Sequence, residues 1–432
     1  MTRLLSLGEV ASFVSGGTPS KGNPNYWGGD IPWVSAKDMK SDFLFDSEDH
    51  VTSDGAMNGT RVLPPESTLV LVRGMTLHNY VPICLAETKL TINQDVKGLL
   101  PGPLVRPRFL FYSLKAAHDR IHQMVDSAGH GTGRLNTDQL KGLPLAVPEL
   151  TEQDRILDIV SPFDAKIELN RKMNATLEQI ASALFKSWFI DFDPVRAKSQ
   201  GRKPFAVDEA TATLFPSTFE QTEHGDIPTG WKRVPLGELV VLTRGTTYKS
   251  SLRDHPGPYL LGLGSIERNG GFRDAKLTTY GGDSPAKLLL NPGDIFVSLK
   301  DVTQSADLLG AVARVPGHIS QGRLTQDTVK LDFSTNGSVA EVVYRTLLTP
   351  EYRQFCRSHA TGTTNLGLAR EDFLSYPIPI CPSELLCKFN SLISPILELQ
   401  GKISSELRTL EATRDLLLQW LLSGENSLKE AS

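Results

Sequence analysis

TEQDRILDIVSPFDAKIELNRKMNATLEQIASALFKSWFIDFDPVR, residues 151–196, decides how this chain is organised. Positions step alternately by four and three through Ile156, Val160, Phe163, Ile167, Asn170, Asn174, Leu177, Ala181, Leu184 and Trp188. A seven-residue repeat held this long is the seam of a helix that packs lengthwise on another helix. Thr151, with Asp154 three residues on, is placed to cap its start. Pro162 lies inside the pattern and is expected to kink or split the helix. Asp193-Pro194 is expected to end it, because the residue before a proline is driven out of the α region. About 39 residues rising 1.5 Å each give a rod of roughly 58 Å, long enough to act as a spacer. Counting only from Pro162 shortens it to roughly 45 Å.

Outward from this rod the chain repeats itself. Pro144 recurs as Pro377, Ser161-Pro162 as Ser394-Pro395, and Thr176-Leu177-Glu178 as Thr409-Leu410-Glu411, all at an offset of 233. The second seam keeps the heptad through Phe389, Ile393, Ile396, Gln400, Ile403, Leu407, Leu410, Arg414, Leu417 and Leu421. Before the helices the echoes are looser but in the same order. Leu7-Gly8-Glu9 returns as Leu236-Gly237-Glu238, Ser15-Gly16-Gly17-Thr18 as Arg244-Gly245-Thr246-Thr247, and Asn93-Gln94-Asp95 as Thr325-Gln326-Asp327. A mixed globular domain followed by a long helix is therefore used twice, with a period too long for a solenoid. Each helix has one apolar seam, and the two seams are expected to bury each other. An approximate two-fold between the halves makes the helices antiparallel.

The expected fold class is α+β: two mixed α/β domains separated by two long antiparallel helices, with an internal pseudo-two-fold repeat. Residues 1–150 form the first domain and 151–196 the central helix. Residues 197–230 read as a polar linker. Residues 231–382 form the second domain, 383–424 the second helix and 425–432 a flexible tail. Within the first domain, Leu69–Val72 and Val81–Leu85 read as strands and Arg108–Val125 as a helix. Residues 15–30 and 127–136, rich in Gly, Pro, Asn and Ser, read as loops.

Composition narrows the function classes. A chain of 432 residues with 40% hydrophobic and 22% charged content is an ordinary globular protein of two or more domains. The start, MTRLLSLGEVASF, has no sustained apolar run, and no stretch of 18 apolar residues follows, so no membrane span and a cytoplasmic location are expected. Cys84, Cys356, Cys381 and Cys387 include no Cys-x-x-Cys pair, so buried free thiols are expected in place of a metal site. The net charge of −4 is unlike a nucleic-acid binder acting alone, and leaves room for a local basic surface or one supplied by a partner.

Catalytic signatures are missing. There is no G-x-x-x-x-G-K-[ST] phosphate loop, no H-E-x-x-H and no G-x-S-x-G. Asn23-Pro24-Asn25-Tyr26 lacks the second proline of a methyltransferase Asn-Pro-Pro-Tyr loop and is read as a turn; Gly129–Gly133 is read as a flexible loop. No catalytic residue and no metal ligand is assigned. What remains is a vocabulary for binding nucleic acid: basic side chains for phosphates, and Asn, Gln and Arg for base edges. Lys21, Tyr26, Trp27 and Lys37 lie in or beside the first Gly/Pro-rich loop, and Arg244, Thr247, Tyr248 and Lys249 at the equivalent place in the second half. Arg73 and Lys300 follow strand-like runs, as do Gln94 and Gln326. Glycine-rich loops carry His130, Arg134 and Asn136 in the first half and Thr363 and Asn365 in the second, where backbone N–H groups can approach phosphate.

At this point the chain resembles a specificity subunit of a type I restriction–modification system. The resemblance covers essentially the whole length. It is carried most specifically by Leu143-Pro144-Leu145-Ala146-Val147-Pro148 leading into Glu152-Gln153, by Leu184–Val195, by Gly225-Asp226-Ile227-Pro228-Thr229-Gly230-Trp231, and by Ser15–Ser20. It implies two target-recognition domains on double-stranded DNA, each reading one half of a split sequence. It implies helices that separate them and dock two DNA methyltransferase subunits, with restriction/translocase subunits joining the complex. S-adenosylmethionine, ATP and Mg then belong to those partners, and none to this chain. Two other readings stay open from the residues alone: a self-contained duplicated methyltransferase or nuclease, and a coiled-coil scaffold with no nucleic-acid role.

Overall fold

The computed structural model describes residues 2–127, 132–223, 225–274, 277–333, 337–363 and 365–422. The expected tail at 425–432 and the candidate His130 lie outside the described residues. Contacts divide the chain into two units, Met1–Leu169 with Arg408–Ser432, and Asn170–Leu407.

In the first unit a five-stranded sheet runs in the order Ala11–Ser15, Val96–Pro101, Thr68–Leu71, Ile83–Ala86, Phe43–Leu44. Leu69, Val70, Leu71, Ile83, Cys84 and Leu85 are all buried, as expected of apolar runs covered on both faces. A second sheet orders Asp49–Val51, Trp27–Val34, Leu90–Ile92, Val62–Leu63, and a small third one Val125–Ser127, Gly133–Leu135, Arg73–Gly74. Arg3–Ser6 pairs with Pro144–Val147, tying the start of the domain to the strand that feeds the central helix.

The second unit repeats this plan. Val241–Arg244, Thr328–Asp332, Ile295–Ser298 and Val312–Arg314 match the first four strands of the large sheet in order. Tyr259–Leu261, Gly322–Leu324 and Leu289–Leu290 match three strands of the second, including its parallel pair. Lys300–Asp301, Leu366–Leu368 and Ala360–Thr361 match the small one, and Lys232–Pro235 pairs with Pro377–Ile380. The repeat expected from scattered echoes is thus a repeat of topology.

The central helix spans Leu150–Phe185 and the C-terminal helix Ser383–Leu422, and neither breaks at its proline. Pro162 and Pro395 are both exposed, while Val160 and Ile167, or Ile393 and Ile403, are buried on either side. Packing of the seam on both flanks outweighs the one backbone hydrogen bond each proline removes. Thr151 lies inside the first turn and is not its cap. Glu149 precedes the helix, its carbonyl accepting from the N–H groups of Glu152 and Gln153.

The seam faces inward along its length. Ile156, Val160, Ile167, Asn170, Ala181, Trp188, Phe389, Ile393, Ile403 and Arg414 are buried, and the remaining seam residues, Phe163, Leu177, Leu184, Ile396, Leu407, Leu410 and Leu417 among them, are half-buried. The helices run antiparallel within each unit. In the first, Arg414 meets Asp164; in the second, Asn170 donates to Glu406 at 2.9 Å and Asn174 to Ser404 at 3.2 Å.

A π-helical turn, Lys186–Ile190, follows the central helix, and the chain then turns at Phe192, whose φ is 54°. Pro194 opens a new short helix, Asp193–Ser199, in place of merely ending the old one. The extra residue in the π turn leaves both Trp188 and Phe189 facing inward. Phe189 packs 5.3 Å from Trp231 and 4.8 Å from Phe389, Trp188 packs 4.9 Å from Phe215, and Phe192 packs 5.6 Å from Trp231. The Leu184–Val195 and Gly225–Trp231 stretches are therefore two halves of one aromatic cluster. Residues 197–230, expected as a linker, hold the helix Glu209–Leu214 and a hairpin of Phe219–Thr222 with Gly225–Pro228, anchored by buried Phe215 and Ile227. Its polar composition belongs to exposed faces of folded structure.

Two smaller expectations are revised. Arg108–Val125 divides into helices Pro107–Ala116 and His118–Gln123, and Val125 begins a strand. Cys84, Cys356 and Cys381 are buried free thiols but Cys387 is exposed. Burial pushes the Cys84 thiol up to about 12, which keeps it protonated and unreactive.

Candidate nucleic-acid interface

In each unit a glycine-bearing turn closes on the end of a strand. Gly17 donates to the Ile92 carbonyl at 3.0 Å, and a Cβ on Gly16 would sit 2.1 Å from that oxygen. In the second unit Gly245 donates to the Thr328 carbonyl, and a Cβ there would sit 1.9 Å from the Thr325 oxygen. Only glycine permits either approach. The result places Ser15–Thr18 beside Asn93-Gln94-Asp95, and Arg244–Thr247 beside Thr325-Gln326-Asp327.

In the first unit this brings four polar side chains to one strand-end region. Thr18 donates to the Gln94 side-chain oxygen at 2.7 Å. Asp95 offers its carbonyl to Val72 N–H at 2.8 Å, and Val72 offers its own to Leu135 N–H at 2.9 Å. Arg73 and Arg134 then stand directly opposite one another across adjacent strands, both exposed, with Asp126 on the far side of Arg134. Two like charges in facing positions are destabilising unless an anion lies over them, and a phosphate oxygen has the required charge.

The second unit gathers a different set. Arg244, Lys300, Gln326 and Arg370 line a concavity of about 300 Å³, while Tyr248, Arg253, Arg273, Gln326 and Asp327 line a neighbouring one of about 460 Å³. Gln326 stands between the two. Lys300 occupies the place of Arg73, but its cross-strand partner is Gly367, and it pairs with Asp327 at 3.1 Å. Buried Arg323 holds the 246–248 turn by donating to the Thr246 hydroxyl and the Thr247 carbonyl, at 3.2 and 3.3 Å. Tyr248 leans edge-on against Tyr280, and Thr247 and Lys249 are exposed beside it. Thr363 and Asn365 are exposed at the turn between Ala360–Thr361 and Leu366–Leu368.

Other candidates are placed in structural roles. Trp27 stacks edge-on against Trp33 at 5.2 Å, and their indole N–H groups donate to the Ser20 and Gly17 carbonyls, so the pair braces the loop from inside. Lys37 is paired with Asp49 at 2.9 Å and Glu48 at 3.2 Å. Asn136 caps the helix Thr137–Lys141, its side-chain oxygen accepting from Asp138 N–H. Lys21 is exposed; Tyr26 is half-buried, in a turn whose Asn23 side chain accepts from Asn25 N–H.

Arg253 belongs with the second-half loop candidates Arg244 to Lys249, whereas Arg273, Arg370 and Thr18 were outside the candidate set. Arg370 could have been found, because it opens a short helix at the place of Thr137 in the repeat. Arg273 lies in no repeated segment, and nothing in its neighbourhood marks it.

Residues 4–179 match the family model described as the type I restriction modification DNA specificity domain. The chain is 26% identical to the MjaIX type I restriction enzyme specificity subunit of Methanocaldococcus jannaschii, over 99% of its own length and 93% of that relative. Residues 4–179 carry that specificity domain, and the whole chain is similar to type I specificity subunits. A second relative, the HindI specificity subunit of Haemophilus influenzae, is 28% identical over 74% of this chain and 78% of its own length. The fold of the chain is shared with the crystal structure of a type I system S subunit from M. genitalium, at a TM-score of 0.55 and 16% identity, covering 98% and 96% of the two chains. The matched description is DNA specificity, so recognition of a DNA target is the function these likenesses support.

Proposed function

We propose that each unit of this specificity subunit reads one half of a split DNA sequence. The supporting observation is the repeated strand-end site: the same topology holds a glycine turn, a glutamine and a basic strand end in both units, with different side chains around them. Same scaffold with different contacts is what two unlike half-sites require. The domains 1–150 and 231–382 serve as target-recognition domains, and the two long helices set the unread gap between half-sites, as fixed spacing does for paired recognition modules. Covalent linkage raises the effective concentration of the second module once the first has bound.

The helices also carry two methyltransferase subunits. Met173, Ile180, Leu392 and Leu399 are exposed apolar side chains in the second unit, and Leu416 and Trp420 in the first, which gives a partner apolar surface to cover. Methyl transfer from S-adenosylmethionine, and ATP- and Mg-dependent steps, fall to the partner subunits, including the restriction/translocase subunits. The net charge of −4 fits a subunit whose partners add phosphate contacts. Exchanging residues 1–150 for those of a relative with another target tests the division of labour. One half-site is expected to change and the other to persist; a change in both, or in neither, refutes it. Inserting one heptad after Ala175 is expected to widen the gap without altering the bases read.

A further inference from the structure

Gln94 and Gln326 occupy the same place in the repeat, yet their amides stand in different surroundings. Each follows a strand at the middle of its sheet, Leu90–Ile92 or Gly322–Leu324. Each is flanked by fixed neighbours: buried Asn93, whose side-chain oxygen accepts from Asp95 N–H at 3.0 Å, and buried Thr325, whose N–H donates to the Thr328 hydroxyl at 3.1 Å. The glutamine side chain alone is exposed in both triplets, next to a buried and hydrogen-bonded neighbour.

We propose that Gln94 and Gln326 are matched base-reading residues, and that Thr18 sets what Gln94 reads. This rests on the split-site reading above. The Thr18 hydroxyl donates to Gln94 Oε1, which takes up one of that oxygen's two lone pairs and leaves both Nε2 N–H donors free. An amide held so offers its donors first and favours an edge made of acceptors, such as guanine N7 and O6 or thymine O4. Adenine is matched less well, because its bidentate contact with glutamine needs the oxygen already engaged by Thr18 to accept from N6 as well. Gln326 makes no side-chain hydrogen bond among the described residues, and the Thr246 hydroxyl in the turn beside it accepts from Arg323. Its oxygen and nitrogen are both available, which is the arrangement that reads adenine. The two half-sites then differ at this position: an acceptor edge under the first unit, adenine under the second.

The test is methylation of a randomised DNA library by the full subunit assembled with its methyltransferase subunits and S-adenosylmethionine, with methylated sites sequenced. The wild type is expected to require guanine or thymine at one position of one half-site and adenine at one position of the other. Gln94→Ala is expected to lower discrimination at the first position about tenfold, and Gln326→Ala at the second. Thr18→Val releases the Gln94 oxygen and is expected to admit adenine at the first position, while Thr18→Ser retains the hydroxyl and restores the wild-type preference. Gln94→Glu, which only accepts, is expected to favour cytosine there. If Thr18→Val reads as the wild type does, or Thr18→Ser fails as Thr18→Val does, the role of Thr18 is overturned. Unchanged discrimination in both alanine variants overturns the pairing of the glutamines. A wild-type complex that methylates without any sequence preference removes the DNA-reading proposal beneath it, a distinguishable failure.

Discussion

Asp164 and Arg414 are buried in the first unit and meet at 2.7 Å; their counterparts at an offset of 233 in the second unit are Leu397 and Ala181, members of an apolar core. The first pair is part of a network. Arg414 also reaches Asp42 at 3.1 Å, Asp42 accepts from Lys115 at 2.8 Å, and the Tyr112 hydroxyl donates to Asp164. Burial opposes the Arg414 charge, but the carboxylates outweigh it and hold its pKa above the ordinary value. In the second unit the helix pair is instead held by rings packed tilted or edge-on, with Phe389 against Phe185, Trp188 and Phe189. A charged contact does appear there, in the reverse sense: Arg345 on the domain reaches Glu178 on the helix at 3.1 Å. One duplicated scaffold thus tolerates two chemistries at its helix–domain contact, provided the heptad seam is kept. A buried ion pair adds little net stability over a well-packed apolar pair, so what it contributes is register, since a helix shifted by one turn strands two charges.

The sharpest way to break this comparison is to remove one charge. Arg414→Ala leaves Asp164 buried without its cation and is expected to cost about 3–5 kcal/mol in chemical denaturation of the subunit. Copying the second unit into the first, Asp164→Leu with Arg414→Ala, is expected to recover most of that loss; a double variant as unstable as the single one refutes the equivalence of the two locks. Phe189→Ala in the second unit removes the ring that joins the Phe389 and Trp231 sides of the cluster. It is expected to cost about 3–5 kcal/mol, with no rescue available from charge. Arg345→Ala is expected to cost less, roughly 1.5–3 kcal/mol, because Glu341 keeps Arg314 as a partner. The smallest effect is expected at Asn170, buried on the seam with its side-chain oxygen unpartnered. Asn170→Leu should change stability by under about 1 kcal/mol, or raise it, while loosening helix alignment in cross-linking between positions 174 and 404.

The parts legible in sequence were those with a local period or a repeated motif. The heptad placed the seam, and the second copy at an offset of 233 named its partner. The split expected at Pro162 does not occur, because an exposed ring in a helix packed on both sides removes one hydrogen bond and leaves the seam in place. The 197–230 segment misled for a related reason: its apolar anchors, Phe215 and Ile227, are too sparse to set a period, and their partners lie elsewhere in the chain. At the candidate site, the recurrence of Gln94 and Gln326 was visible as a motif. The capping role of Asn136, the bracing role of Trp27 and the pairing of Lys37 were not, because each depends on which group the fold brings alongside. Asp164 was hidden beside Phe163, one position off the seam, and only the approach of the other helix shows why Arg414 can sit on it.

The central claim is that two differently furnished copies of one scaffold read two sequences held at a fixed spacing. Mapping DNA methylation in a host with and without this chain, its methyltransferase present in both, tests that most directly. The expected result is a chain-dependent motif of two short, unlike blocks separated by a gap of constant length. A single continuous block, two identical blocks, or methylation indifferent to the chain would contradict it.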